Sequence, residues 1–543
     1  MNLNFTGECK ENSKKSLLIT AVAVSLLTFI VYIGSFSGDF INYDDKAYLF
    51  ENLVIRQIDL SSIITMFSSS HVGWWMPLTW LSFAIDYKIW GLNPFGFHLT
   101  NTFIHAANTA LVVLIAARVI RMRYPADGNK TDLLICAAFA GLLWGLHPLR
   151  VESVAWIAER KDVLNGFFAL LSIYFYFAAH NPQPEARTPR NSALFSVLFF
   201  YLSLGAKSVS AILPFILLAI DIYPLKRLDM VSFRQRVTEK APYLVGSAVV
   251  VITTFVSAAR SNYLVNYEVF PLSQRLAVSG NAIIEYLRLF LFPSSLSPLN
   301  VIPDPIPSSY TVKATLALLL IAAVLFSRRG WLQSCLLCFL LPFLPVLAFF
   351  QNGDQAFADH FTYLPAVAPS IAAALLLLLS FERMNGSGRA IFLAGVLLLL
   401  GVYTILSIRM FSVWRSTETF WTRVIELQPI AINFKERGRN YHLDGRYIEA
   451  VADFSAAIER IPETLKPYSY NFFAFRAESL RGAGRYSEAV QDFDTAIAML
   501  PHPVYFHHRG LALKSMGREA EAEKDFSVGG DVTTPVVWFD REP

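Results

Sequence analysis

The sequence predicts an all-α chain in two parts: a polytopic bundle of membrane helices over residues 1–408, and a charged helical array over residues 409–543. Three observations point there. Of the 543 residues, 54% are hydrophobic and only 16% charged, which is too apolar for an ordinary soluble enzyme. Apolar runs of spanning length, or slightly short of it, recur up to residue 408. Beyond Arg409 a charged pattern with a regular repeat takes over. The net charge of +4 leaves no nucleic-acid footprint, so no nucleic-acid partner is expected.

Lys10, Lys14 and Lys15 precede a first apolar stretch of about 20 residues, too long for a signal-peptide core and without a small-residue cleavage site. It reads as a retained span. Apolar runs lie near 17–36, 97–117, 133–147, 163–179, 193–206, 208–224, 242–258, 312–327, 331–350, 364–381 and 390–408, which makes about eleven spans. Threaded from an internal N-terminus, the inner loops hold about 18 Lys and Arg in about 73 residues, against about 11 in about 145 outside. This bias puts the N-terminus in the cytoplasm and, for an odd number of spans, the C-terminal region outside. Residues 281–292 are short, carry Glu285 and Arg288, and precede a proline-rich stretch, so an interfacial or re-entrant helix is expected there. Cys9, Cys136, Cys335 and Cys338 form no disulfide framework and read as packing thiols.

In the C-terminal part, Gly445-Arg-Tyr447-Ile-Glu449-Ala450 with Asp453-Phe454 recurs as Gly484-Arg-Tyr486-Ser-Glu488-Ala489 with Asp492-Phe493. Gly517-Arg-Glu519-Ala-Glu-Ala522 opens a third copy. The intervals, about 39 and about 33 residues, bracket the ~34 of tetratricopeptide repeats. Such arrays bind peptides or proteins in a concave groove. Residues 414–429 are expected to form a helix joining the last span to the array.

Chemistry is concentrated in the loops assigned to the outer face. Asp44 and Asp45 follow the first span, where a carboxylate just outside the bilayer can deprotonate an acceptor hydroxyl while facing a lipid-borne donor; a hydrated turn is the plain alternative. In the segment His147-Pro-Leu-Arg-Val-Glu152-Ser-Val-Ala-Trp156…Arg160-Lys161-Asp162, a helix over 151–161 puts Glu152 and Trp156 on one face with Arg160 a turn further on. Arg160 and Lys161 can grip a phosphate, or simply snorkel at a span entrance. Lys207 lies close to the bilayer with only short polar cover. His360, in Asp359-His360-Phe361-Thr362-Tyr363, can contact a donor. No second ligand at metal spacing accompanies it, so no metal centre is assigned, although a divalent cation is compatible with the chemistry. His71 and Trp74-Trp75 read equally well as an aromatic belt.

Taken together and in order, Asn42-Tyr-Asp-Asp45, His71…Pro77-Leu-Thr79, Asn93…His98…Asn101…His105…Asn108, His147…Glu152-Ser-Val-Ala-Trp156…Arg160-Lys161-Asp162 and Tyr363-Leu-Pro365, ending in repeats, carry a family resemblance. The chain resembles the transmembrane and tetratricopeptide-repeat O-mannosyltransferases and their bacterial relatives, within the GT-C superfamily of integral-membrane glycosyltransferases. The His-Pro…Glu-Ser-Val-Ala-Trp…Arg-Lys-Asp segment is the most specific part. The resemblance implies a GT-C-like bundle, a sugar donor on a polyprenyl phosphate, an inverting displacement, and Asp44 or Asp45 as base. From the residues themselves, His71, His147, Glu152, Arg160, Lys161, Lys207 and His360 are the substrate-binding candidates. The acceptor is a hydroxyl of a protein or glycan, recruited by the repeats. With about three short repeats, and with Phe361-Thr362 where relatives place charged residues, neither mannose nor a protein acceptor follows. A bacterial inner membrane with undecaprenyl phosphate as carrier fits this brevity. The rival from another class is a non-catalytic membrane scaffold whose repeats gather periplasmic partners. Few ionisable residues sit centrally in the spans, which argues against a transporter.

Overall fold

A computed structural model of the chain describes residues 5–123, 129–180, 189–228, 232–260, 267–350, 355–530 and 536. The side chain of Cys9 lies outside the described residues. The chain divides into two compact units, Met1–Arg415 and Ser416–Pro543. The fold is all-α. Among the described residues the strand content is one two-stranded antiparallel sheet, Asn300–Val301 with Gln355–Phe357.

In the first unit, five helices are long and apolar enough to cross a membrane: Lys14–Ser37, Pro94–Arg123, Ile157–His180, Ser308–Phe326 and Gly386–Phe411. Two bent pairs, Lys130–Gly145 with Pro148–Ala155 and Phe233–Glu239 with Ala241–Ser257, bring the number to at most seven by length and composition. All eleven apolar runs fold as helix, and among the described residues five to seven of these helices meet that test. The runs at 208–224 and 331–350 fold as the shorter apolar helices Ser208–Ile222 and Gly330–Val346, each containing a 3₁₀ portion. Helices suit a membrane because each satisfies its own backbone groups. The outward apolar faces agree with that solvent: on Ser308–Phe326 only Ala317 is buried, while Leu318 and Leu319 are exposed. Local signals set the ends. Asn129 and Asn385 cap the helices that follow them, and Pro94 opens its helix at the position where a missing N–H costs nothing.

The segment expected as a short interfacial helix at 281–292 is instead part of a 20-residue helix, Leu272–Leu291. One face is buried, with Tyr286 stacked on Phe343 at 4.2 Å between ring centroids. Glu285 pairs with both Arg288 and Lys313 at 2.6 Å. Its charges therefore tie this helix to the helix Ser308–Phe326.

The motif segment also departs from expectation. It is not one helix over 151–161. A short helix, Val151–Ala155, ends at Trp156, whose backbone is extended; a 3₁₀ turn, Ile157–Glu159, follows; the long helix then starts at Arg160. Polar residues of Pro94–Arg123 hold this break in place. Asn101 donates to the carbonyls of Val154 and Trp156, and Asn108 donates to that of Val163. Carbonyls freed by the break thus find donors in a neighbouring helix instead of facing lipid.

The second unit is a run of helices: Thr417–Leu427, Ala431–Leu443, Tyr447–Glu459, Tyr470–Gly482, Tyr486–Met499, Pro503–Ser515 and Glu519–Gly529. A capping box of Ser416 and Thr419 starts the first. Gly445, Gly484 and Gly517 take φ of 73°, 77° and 74° between paired helices, a left-handed conformation that glycine adopts without a Cβ clash. The repeat is also chemical. Arg437–Asp453, Arg476–Asp492 and Arg509–Asp525 are the same two-pronged ion pair, each spanning 16 residues and each crossing between the two helices of a pair. Phe454 and Phe493 fill the space between helices within one buried cluster.

Candidate active site

The two adjacent acids of the first loop have different surroundings. Asp45 is fully buried; its Oδ2 accepts the N–H of Ile41 and its Oδ1 the N–H of Ala158, both at 2.8 Å. It closes its own loop and also caps the 3₁₀ turn that carries Glu159. Burial pushes its carboxyl up to about 7, against the pull of these two donors. Asp44 faces outward, with 37% of its side chain exposed, and stands 3.7 Å from Lys161 Nζ. The packed protein around it raises its pKa above the ordinary carboxylate value, with Lys161 opposing.

From Lys161 a chain of charges runs inward. Its Nζ is 2.7 Å from Glu159 Oε1, 4.8 Å from the centroid of the Tyr48 ring and 5.5 Å from that of Trp156. Trp156 in turn stacks on Trp414 at 5.4 Å. Glu159 Oε2 lies 3.6 Å from Lys207 Nζ, which pairs with Asp162 at 2.6 Å. The backbone around Lys207 is fixed by Asn165, which donates to its carbonyl and to that of Ser203.

His360 arrives from the far side of the sequence, delivered by the strand Gln355–Phe357. Its Nδ1 is 2.7 Å from Glu152 Oε1, and its backbone N–H donates to Glu152 Oε2 at 3.2 Å. Glu152 thus both caps the turn Asp359–Thr362 and orients the imidazole. Burial lowers the pKa of His360 to about 3, and raises that of Asp359 to about 7 with Arg150 opposing. Tyr363 anchors the same turn, its hydroxyl 2.8 Å from His105 Nδ1 and accepting from Asn108 at 2.9 Å.

The structure therefore brings together Asp44, Asp45, Glu152, Lys161, Lys207 and His360. It keeps three expected residues apart from them. Arg160 is fully buried on the other side of the helix start, donating to Asp86, Ser82, the Phe97 carbonyl and Asn101. With every guanidinium nitrogen engaged, it is a structural cation and not a phosphate grip. His147 accepts the Leu149 N–H on Nδ1, faces the Phe290 carbonyl with Nε2 and stacks on the Phe290 ring, so it holds the bend after Gly145. His71 lies 2.9 Å from the Ala47 carbonyl and packs edge-on against Trp80, bracing the loop that bears Asp44.

Sequence reasoning left out Glu159 and Asp162, which link the two lysines, and Tyr48, which lies under Lys161. The first two flank Arg160-Lys161 in the motif, so the spacing contained the signal. His360 has companions that its local sequence does not show: ligand atoms of Glu159, Asp162 and His360 lie within 4.8 Å of one another. Beside this cluster, a small pocket lined by Asp162, Lys207, His360 and Leu364 adjoins an apolar cavity of about 110 Å³ that Leu364 also lines, with Ile115, Leu170, Ile216 and Ile371.

No family model matches the chain. Solved structures align with it at low similarity. ArnT from Cupriavidus metallidurans, bound to undecaprenyl phosphate, aligns at 14% identity and a TM-score of 0.34, over 94% of this chain and 76% of that one. The Archaeoglobus fulgidus oligosaccharyltransferase, tethered to an acceptor peptide, aligns at 13% identity and a TM-score of 0.37, over 86% and 58%. In sequence, the mouse Protein O-mannosyl-transferase TMTC2 is 30% identical over 167 residues, 29% of this chain and 18% of the mouse protein. The Drosophila melanogaster Protein O-mannosyl-transferase Tmtc2 is 28% identical over 208 residues, 36% of this chain and 20% of the fly protein. The chain spans about a fifth of the length of these relatives, and over that stretch it is similar to protein O-mannosyl-transferases.

Proposed function

We propose that this chain is a membrane glycosyltransferase that moves a hexose from a polyprenyl-phosphate carrier to a hydroxyl of a protein or glycan. Asp44 takes the hydroxyl proton, the acceptor oxygen bonds to the anomeric carbon from the face opposite the phosphate, and the bond to the phosphate oxygen breaks with inversion. Polyprenyl phosphate leaves with its new negative charge facing Lys161 and Lys207. Asp45 positions the loop, and Glu159 sets the separation of the lysines. The apolar cavity past Leu364 is suited to the first prenyl units. The setting is the extracytoplasmic face of a bacterial inner membrane, with the N-terminus in the cytoplasm and the repeats outside to recruit the acceptor.

The observation that carries this reading is the pairing of Asp44 with Lys161 at 3.7 Å: a part-exposed base beside a cation that continues, through Glu159, to a second cation. A solvated turn needs no such buried continuation. The test is release of polyprenyl phosphate by the full chain in liposomes containing a synthetic polyprenyl-phosphate hexose and a hydroxyl acceptor. Asp44→Asn is expected to lower turnover by about 10²–10⁴-fold with the fold intact. Lys207→Ala is expected to raise the donor KM. Full turnover with Asp44→Asn removes the base and, with it, this reading. Failure of the wild-type chain to bind any such donor favours the scaffold instead.

A further inference from the structure

We infer that the repeat array is a docking site for a peptide segment with apolar and then acidic side chains, and that the segment carrying Val536 occupies it in cis. The sequence supplies the first observation. The last helix of the array ends at Gly529, and Gly530 follows at φ 67°. Beyond it the chain reads Asp-Val-Thr-Thr-Pro535-Val536-Val-Trp538-Phe539-Asp540-Arg-Glu542. This run has no repeat signature. Its unbroken apolar stretch from Pro535 to Phe539 stands out in a charged unit, and water is a poor solvent for it.

The second observation is where Val536 lies. It is fully buried and belongs to the same cluster as Tyr441, Phe454, Phe475, Phe493 and Tyr505. Those residues come from helices Ala431–Leu443 through Pro503–Ser515, well before the end of the array. Gly530 itself stands beside the last helix pair, its carbonyl 3.0 Å from His507 Nδ1. Val536 is therefore packed back onto the repeats that precede it.

The surroundings fit such a segment. The first helices of successive pairs, Ala431–Leu443, Tyr470–Gly482 and Pro503–Ser515, contact one another in order and make one continuous face. They supply Tyr441, Ala474, Phe475, Val504 and Tyr505 to the cluster that holds Val536. Cations flank this apolar floor. Lys435 Nζ is 5.4 Å from the ring centroid of Phe472 and 5.8 Å from that of Phe475, and the Arg439 guanidinium is 5.6 Å from Phe475. Two cations one helical turn apart beside apolar rings suit apolar side chains followed by a carboxylate. The sequence after Pro535 has that order, with Asp540 and Glu542 following Trp538 and Phe539.

A partner of the array is then a peptide of the same chemistry, and it binds by displacing this segment. Because the segment is tethered, it competes at an effective concentration of about millimolar, which excludes weak peptides. This deepens the recruiting role given to the repeats, but its readout is peptide binding, which a loss of transfer would leave unchanged.

The experiment uses the full chain in detergent, with a protease site inserted between Gly530 and Asp531, and a fluorescein-labelled peptide of residues 533–543. Fluorescence anisotropy is expected to show saturable binding to the cleaved chain, and binding at least about ten-fold weaker to the uncleaved chain. The peptide carrying Val536→Asp should not bind the cleaved chain. The same change in the uncleaved chain should admit the wild-type peptide. The inference is overturned if cleaved and uncleaved chains bind the peptide equally, or if Val536→Asp in the peptide changes nothing. Retention of the cleaved segment against an excess of free peptide would mark it as part of the fold and overturn the inference as well. The cleaved wild-type chain decides these points even where the Val536→Asp chain fails to fold.

Discussion

Asp45 Oδ1 accepts the backbone N–H of Ala158 at 2.8 Å, joining residues 113 apart and fastening the first loop to the turn that carries Glu159. The neighbouring acid, Asp44, has no such anchor and points to Lys161. Two adjacent carboxylates therefore have separable roles, one holding the loop and one facing the rim.

Asp45→Asn keeps one acceptor oxygen where two were used, so a buried backbone donor loses its partner at a cost of about 1–3 kcal/mol. Thermal unfolding in detergent is expected to show that loss. Asp44→Asn is expected to unfold at the wild-type temperature and to fail in transfer. Equal destabilisation by the two variants would contradict the separation.

The acids also predict opposite trends with pH. Asp45 titrates near 7 when folded, above an unfolded carboxylate value of about 3.9. The folded state then holds the extra proton between these values, so the contribution of Asp45 to stability declines as pH rises from about 4 to about 7. The decline should appear as a difference between wild type and Asp45→Asn across that window, with no difference in slope above it. Asp44 must be deprotonated to act as a base, and its pKa is raised by its surroundings. Turnover should therefore rise with pH, with an acidic limb above that of an ordinary carboxylate, and Lys161→Ala should move the limb upward by removing the opposing charge.

Arg160 gives the clearest contrast between sequence and structure. Its replacement by Ala leaves Asp86 as a buried, unpaired acid, at a cost of about 3–5 kcal/mol. Melting should fall accordingly, while the donor KM of the folded fraction stays at the wild-type value. Lys161→Ala should raise KM as well as lower melting, because it takes a donor-site cation and leaves the buried Glu159 without its 2.7 Å partner. A raised donor KM in a conservative, folded Arg160→Lys would return Arg160 to the donor site.

Gly166 lets Tyr363 approach: a Cβ there would stand 2.6 Å from Tyr363 Cε1. Gly166→Ala should displace the ring, break its bonds to His105 and Asn108, and destabilise by about 1–3 kcal/mol. Non-additivity, with Gly166→Ala costing little once Tyr363→Leu is present, would tie the effect to this contact.

The sequence by itself determined the all-α class, the apolar character of residues 1–408, the glycine-marked repeats and the rim acids, because each is written in local pattern: spanning-length apolar runs, a repeat period, and charges at loop positions. An apolar run does not record that 208–224 and 331–350 are interrupted by 3₁₀ geometry, so the helix length each supplies was not legible in it. Only the tertiary structure decided which charges meet. Arg160 and Lys161 are neighbours in the chain, yet the extended backbone at Trp156 and the new helix start turn one toward Asp86 and the other toward Asp44. His360 joins Glu159 and Asp162 only because the strand Gln355–Phe357 ends beside them, a long-range pairing that no local spacing encodes. Direction and partner depend on backbone geometry and on packing between distant segments, and residue type constrains neither.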